Sequence, residues 1–452
     1  LLSFFNGTYV QDTKELHDKY GELVRVSPRG LSLSSGNAWD DIYRQKNGIH
    51  LQKDSEWFGD SNQPTNILNC NDHDHTRIRK VVAQGFSASA LKQQESLLSK
   101  HTTYFLSQLR KHCNTGEEGI VDIVHWYNLL AFDVIGDLSL GEPFHALKTG
   151  QVHPWIKSTF DAVKFWRVLR VANAYPSTLG LLLKAFFALM PGASDMRDSF
   201  FAFPSTTVEK RIANPPDGRK DFLTHMLEYN ALENHMTHKE IVEHACILIM
   251  AGSEEIATHL SGLTFFLLRN PETLLKAQQE VRRSYESEEQ ITLLSMSRLE
   301  YLQACINEAL RLYPPVTSSV PRITSPHGNV IGGHSIPGGT SICTHQYAIY
   351  RNPDNFCNPD SYVPERWLAD CPERYKNDRR SAFQPFHVGP RSCIAQNLVY
   401  FEARSVMAKL LWAFDLELVA PKEKWDQQRV FVVWDKGPLM VKLKPRNMGG
   451  LE

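Results

Sequence analysis

A mainly α-helical fold with a small β region, organised as one large domain, is what this 452-residue sequence predicts. Three observations carry that reading. Apolar residues recur at spacings of three and four through most of residues 75–300, the signature of helices with one face on a core. Val316 to Pro364 is instead dense in Pro and Gly, with short β-rich pieces between the turns. No internal period of about 20–50 residues and no long Gly/Ser or Pro-rich linker divides the chain, so a single domain over 1–452 is expected, although domains of about 150 residues would allow three.

Composition narrows the class. Hydrophobic residues are 42% and charged residues 22%, enough apolar material for a large core and unlike a disordered or collagen-like chain. Lys plus Arg number 49 against 50 for Asp plus Glu, and this net charge of -1 argues against a nucleic-acid binder. Eight scattered cysteines (70, 113, 246, 305, 343, 357, 371, 393) form no Cys-x-x-Cys pair. Neither a disulfide framework nor a structural zinc site is expected, and the thiols suit a reducing compartment. No apolar stretch reaches the ~18 residues needed to cross a bilayer, and Leu1 to Phe5 is too short for an anchor, so the chain as given is expected to be soluble.

The clearest element is a helix over about Thr237 to Arg269. Ile241, Ala245, Leu248, Gly252, Ile256, Leu260, Leu263 and Leu267 form its apolar stripe, Thr237 and Glu240 make a capping-box pattern, and Asn270-Pro271 ends it. Within it, Met-Ala-Gly-Ser-Glu-Glu (250–255) sets a glycine and two acids in an apolar seam. One reading is a close helix crossing at Gly252 with solvent-facing acids; the other is a functional site, where such local conflicts gather. A second helix, about Arg298 to Tyr313, carries Leu299, Leu302, Ile306 and Leu310 and is stopped by Pro314-Pro315. Glu308 and Arg311 lie three apart on it and can pair.

Residues 383–402 read Phe-Gln-Pro-Phe-His-Val-Gly-Pro-Arg-Ser-Cys-Ile-Ala-Gln-Asn-Leu-Val-Tyr-Phe-Glu. A turn runs into a periodic helix expected to begin near Cys393, where backbone N–H groups favour a thiolate. A thiolate there is either a nucleophile or a soft metal ligand. His73 and His75 form a His-x-His pair able to serve zinc on an extended strand, but no further ligand lies at suitable spacing.

Phe386, Gly389, Arg391 and Cys393 match Phe-x-x-Gly-x-Arg-x-Cys, and here the sequence strongly resembles the cytochrome P450 family of haem-thiolate enzymes. Glu308-Ala-Leu-Arg311 resembles its Glu-x-x-Arg helix and Pro364-Glu-Arg-Trp367 the segment that follows. Ala251-Gly-Ser-Glu254 is similar to the oxygen-binding helix, and His75-Thr-Arg-Ile-Arg79 to the segment that holds the haem propionates. The motifs keep the family's order over nearly the whole chain. The resemblance implies haem b with Cys393 as thiolate ligand to the iron, which favours O–O cleavage. It further implies His75, Arg79, Arg391 and Arg322 around the propionates, Ala251 on the cofactor side, Phe386 covering the sulfur, and Gly389 letting the loop pass under the porphyrin. Glu308, Arg311 and Arg366 are implied to be a structural ion-pair triad.

One departure stands out. The family's oxygen-binding helix usually continues from its acid into Thr, with the pair relaying protons to bound dioxygen; here Glu254 is followed by Glu255 and Ile256. Ordered proton delivery matters because stray protons or water release peroxide instead. Three readings stay open: Glu255 donates the proton or holds a water, a substrate hydroxyl replaces the Thr, or the enzyme carries out ring formation, desaturation or coupling rather than hydroxylation. Thr258, one turn beyond Glu255, is a more distant alcohol. Ala395 stands where the family usually has Gly.

A substrate pocket is expected from the Ala251–Glu255 face, the turn at Val316, Thr317, Ser318, Ser319 and Val320, and the loop containing Ile67 and Leu68. That mixture suits a medium-sized, largely apolar molecule. The stretch from Lys164 to Pro191, with Phe165, Trp166 and Leu181 to Leu183, is either ordinary helix core or, by resemblance, lid helices with a membrane-touching surface. Segments such as His-Asp-Lys-Tyr-Gly (17–21) look most like the fungal microsomal branch serving secondary metabolism. That likeness implies dioxygen and NADPH as co-substrates, an NADPH-cytochrome P450 reductase docking on the Cys393 side, a monomer, and an endoplasmic reticulum anchor missing from the given chain. A peroxide-using or redox-neutral haem-thiolate isomerase or dehydratase, and a non-enzymatic haem or gas sensor, are the competing classes.

Overall fold

A computed structural model describes residues 2–44, 50–58, 66–114, 118–158, 180–181, 185, 193–214, 218–233, 235–419 and 424–446. The helices that frame the interior are α1 (Tyr9–Tyr20), α2 (Asp72–Val82), α3 (Ala88–Asn114), α4 (Ile123–Leu140), α5 (His238–Arg269), α6 (Pro271–Ser284), α7 (Glu300–Leu312) and α8 (Gln396–Ala413). Strands are short: β1 (Leu23–Arg25), β2 (Gly30–Leu33), β3 (Gln52–Lys53), β4 (Ile120–Asp122), β5 (Arg322–Ile323), β6 (Ser341–Thr344), β7 (Phe414–Leu418) and β8 (Met440–Pro445). The helical body and small β region therefore agree with the sequence pattern. Of the expected stretch from Lys164 to Pro191, nearly all lies outside the described residues; Leu181 is described, and it is exposed.

Helix α5 starts where the capping box demands. Thr237 accepts from the Glu240 N–H while the Glu240 carboxylate accepts from the Thr237 N–H at 2.8 Å, satisfying two end donors at once. Its most extensive partner is α4, which is apolar on every face and almost wholly buried, as a helix through the centre of a body must be. Gly252 lies at their crossing, where a Cβ would strike the Ile135 side chain. Gly262 does the same for Tyr313, whose Cδ1 would lie 2.6 Å from an added Cβ. The glycine of the Met-Ala-Gly-Ser-Glu-Glu segment is thus a packing residue, and its neighbouring acids do not simply point to solvent.

Five strands form a mixed sheet in the order β1-β2-β6-β5-β3. Antiparallel pairing sets Lys53 of β3 opposite Arg322 of β5, a register that matters below. A second sheet, ordered β4-β8-β7, closes against α3 and α8. Helix α1 is tied to the first sheet by a buried chain: Tyr9 OH to His345 Nε2 (3.0 Å), His345 Nδ1 to Ser32 Oγ (2.7 Å), Ser32 Oγ to His17 Nε2 (2.7 Å), and His17 Nδ1 to the Gly21 carbonyl (2.9 Å). Burial lowers both imidazoles from their ordinary range, His345 to about 3, so they sit neutral in the chain.

Ser32→Ala leaves a nitrogen of each histidine without its partner. We expect a loss of about 1–3 kcal/mol in unfolding free energy for such orphaned buried groups, read as a lowered denaturant midpoint at unchanged slope.

Candidate active site

Cys393 sits in a loop closed by its own backbone. Its N–H donates to the Phe386 carbonyl at 2.8 Å, and the Ser392 N–H donates to Gly389 O at 3.1 Å. Gly389 adopts φ +79°, and a Cβ there would run into the carbonyl of Tyr43. That backbone approach, together with the left-handed φ, is a reason the structure shows for glycine here. His387 also has a positive φ of 64°, strained for a non-glycine residue, and its ring packs on Tyr43 and Trp39. Phe386 lies edge-on to Tyr400 at 5.1 Å.

Helix α8 begins at Gln396, with Ala395 in the N-cap position, so Cys393 precedes the helix by a turn instead of opening it. Burial accordingly raises the thiol above its ordinary range. The N–H of Ala395 and the Arg79 charge act against that rise, and the charge of Glu255 adds to it. The sulfur nevertheless belongs to a residue with exposed surface, although protein surrounds it. Ala251, in the middle of buried α5, is exposed as well. Glu255, four residues further along the same helix, is near enough for its charge to reach the sulfur.

Basic side chains crowd one rim. Arg79 Nη1 donates to the Ser392 carbonyl at 2.8 Å, and Arg391 donates to Cys70 O and Asp72 Oδ1, both at 2.9 Å. Arg391 Nη1 is buried without a partner. His75 is buried on α2, whereas His73 on the same helix turns outward. Arg322 is buried over the Tyr43 ring. Lys53, which sequence reasoning did not single out, completes the group from β3. The cluster repels its own members: burial first, then Arg391 and Arg79, pull His75 down to about 3, and burial with Arg391 pulls Lys53 to about 7. Asp72 is shared between Arg391 and His50 and does not balance this charge.

On α5 the two acids separate. Glu254 is buried and ion-paired with Lys436, whose Nζ also donates to Thr258 Oγ1 at 2.7 Å, while Thr258 donates to Glu254 at 3.2 Å. Glu255 faces the other way and is half-buried. Burial pushes its carboxyl up to about 8, Glu254 adding to the rise and Lys436 opposing it, and Oε2 has no partner. Lys436 was invisible in the sequence because it reaches α5 from a loop 182 residues away.

Glu308, Arg311 and Arg366 meet in the interior, each essentially inaccessible. Glu308 bonds Arg311 at 2.7 and 3.0 Å, Arg366 at 3.0 Å, the Val363 N–H at 2.9 Å and Trp367 Nε1 at 2.8 Å. Arg311 donates to the carbonyls of Tyr350, Pro359 and Ser361, and Arg366 pairs with Asp378. This pair on α7 is no surface ornament of a few tenths of a kcal/mol but the centre of a buried network.

The substrate candidates differ in exposure and partners. Ile67 is half-buried with its N–H on His244 Nε2 of α5 at 3.0 Å, and Leu68 is exposed. Val316 is exposed and Val320 half-buried. Ser319 is turned into the sheet, its hydroxyl held by Thr344 (2.9 Å) and Gln346 (3.2 Å), so it does not offer that group to a pocket.

A cytochrome P450 family model matches residues 2–443. The chain is a cytochrome P450. It is similar to cytochrome P450 monooxygenase astA of Talaromyces wortmannii, with 40% identity over 99% of this chain and 88% of the relative. The trichothecene C-4 hydroxylase of Trichoderma arundinaceum is 40% identical over 98% of this chain and 89% of its own length. The averantin hydroxylase of Dothistroma septosporum is 38% identical over 99% and 84%. As a P450, the protein is an oxidoreductase of the haem-thiolate type that uses dioxygen, a redox partner and a small-molecule substrate.

The residues present fit that cofactor. A buried rim with more cations than carboxylates, including an Arg391 nitrogen with no partner, calls for an anion of the propionate kind. Ala251 and Cys393 are exposed within otherwise buried surroundings, and Cys393 offers a soft sulfur donor. Among the described residues, no helix is long and apolar enough to cross a membrane, and the eight cysteines are free.

Removing Glu308 strands two buried guanidinium groups. Glu308→Ala is expected to cost about 3–5 kcal/mol and most of the haem-loaded protein, measured by the carbon monoxide difference spectrum per mole of chain. The two arginines outweigh burial and hold the Glu308 carboxyl below its ordinary range. Its contribution is therefore present above the usual carboxylate pKa of about 4.3 and lost only as pH falls through the lower folded value.

Proposed function

We propose that this P450 oxidises a medium-sized, largely apolar natural product of fungal secondary metabolism, and that Glu255 manages the proton in place of the family's usual alcohol. Electrons come from NADPH through a membrane-bound reductase that docks on the Cys393 side, at the cytosolic face of the endoplasmic reticulum. The relatives named for hydroxylating a trichothecene and averantin support the substrate class. Haem, held by Cys393 with Arg79, Arg391, Arg322, His75 and Lys53 at the propionate rim, supplies dioxygen binding and redox chemistry when bound.

The observation that carries the reading is the division of labour between adjacent acids. Glu254 is committed to Lys436 and Thr258, so its charge is neutralised where it stands. Glu255 is half-buried, has one oxygen without a partner, and burial pushes its carboxyl up to about 8. A carboxyl protonated near neutral pH and near the Cys393 sulfur is a proton donor by position and by pKa. Lys436, in turn, fixes Glu254 away from that role. Val316 and Val320 supply apolar contacts at the turn after α7, and Ile67 and Leu68 do so from the loop before α2.

Glu255→Thr restores the alcohol and is expected to yield ordinary hydroxylation or better coupling of NADPH to product, followed by mass spectrometry and by peroxide released per NADPH. Unchanged products and unchanged coupling overturn the reading. In the native enzyme the proton-dependent limb should fall as pH rises through about 8, where Glu255 ionises, and that limb should vanish in Glu255→Gln.

A further inference from the structure

Helix α5 carries a second polar group that its surroundings leave unused. His259 is 1% exposed, and neither ring nitrogen has a hydrogen-bond partner. Glu255, four residues earlier, has its sealed oxygen Oε2 in the same condition. An i,i+4 pair stands on one helix face with Cβ atoms about 5–6 Å apart, so three unpartnered polar atoms belong to neighbouring side chains on that face. The neighbouring polar groups do not compete for them. Glu254 and Thr258 are bound to Lys436, while the Ser253 and Ser261 hydroxyls donate to the carbonyls of Ile249 and Ala257 at 2.7 and 2.6 Å.

Orphaned groups of this kind cost about 1–3 kcal/mol each, and protein interiors satisfy them with internal water that finds two to four polar partners. Burial keeps the imidazole neutral, to about pH 3, so one of its nitrogens is an acceptor and the other a donor. A leucine or phenylalanine at 259 would leave no polar atom unsatisfied. The histidine makes physical sense when paired through water with the acid one turn before it.

We propose that Glu255 and His259 share one internal water, and that His259 is a positioning residue that orients the Glu255 carboxyl through it. This rests on the reading of Glu255 as the proton-holding group. The water donates one hydrogen to Oε2 and the other to the unprotonated imidazole nitrogen, which leaves the carboxyl proton on Oε1. When that proton passes to a solvent water at the site, the O–H bond of Oε1 breaks, a new O–H bond forms on that water, and the electron pair stays on the carboxylate. The negative charge spreads to Oε2, where the water's hydrogen bond strengthens; no bond to His259 forms or breaks.

The test uses the haem-loaded enzyme, reduced and bound to carbon monoxide, in infrared difference spectroscopy on photolysis. The native enzyme should show a protonated-carboxyl C=O band that Glu255→Gln removes. His259→Leu, which loses the water's anchor, should move that band to higher frequency and raise peroxide per NADPH several-fold with KM little changed. His259→Asn, which can still hold a water, should return both toward native. A native enzyme without a band from Glu255, or a band unmoved in His259→Leu, overturns the inference. If Glu255→Thr alters coupling while His259→Leu leaves the band in place, this inference alone falls and the role of Glu255 stands.

Discussion

Four cations that repel one another determine how much of this protein is arranged. Arg79, Lys53, Arg322 and Arg391 come from α2, β3, β5 and the cysteine loop around His75, whose imidazole is kept neutral by burial and the nearby charges, and partial burial limits the water that would screen those charges. Such a cluster is stable only around an anion. The short β3–β5 pairing, the start of α2 beside Asp72, and the loop leading to Cys393 all converge on that requirement. On the proposed placement of the haem propionates at this rim, the prosthetic group is part of the electrostatic design of the fold.

The second organising element is the Glu308 hub. One carboxylate receives two guanidinium groups, a backbone N–H and an indole N–H, and Arg311 then reaches three carbonyls from residues 350–361. The hub holds α7 to the segment that leads into the cysteine loop. Charge at the rim and charge at the hub thus do different things: the first prepares a place for a ligand, the second fixes the distance between the pieces that enclose it.

Local patterns were legible in the sequence, and long-range partners were not. The capping box of Thr237 and Glu240 spans three residues, and Phe386 to Cys393 carries its own spacing, so both could be read directly. Lys436 against Glu254 and Asp378 against Arg366 join residues that no local pattern connects. The start of α8 was misplaced because periodicity runs on through Cys393, although Ala395 takes the cap. The close approach of the Tyr43 carbonyl to Gly389 likewise joins residues that no local pattern connects. His259 carries no local signal, since only the packed structure shows that both its nitrogens lack partners.

The histidine chain beneath α1 has a polarity. The carbonyl of Gly21 can only accept, so His17 must carry its proton on Nδ1 and accept at Nε2 from Ser32. Ser32, having given its hydrogen, can only receive from His345 Nδ1, and His345 must then accept from Tyr9. One lone pair at a helix end thereby dictates the tautomers of two imidazoles and the direction of a phenol hydroxyl, across residues separated by 336 positions in sequence.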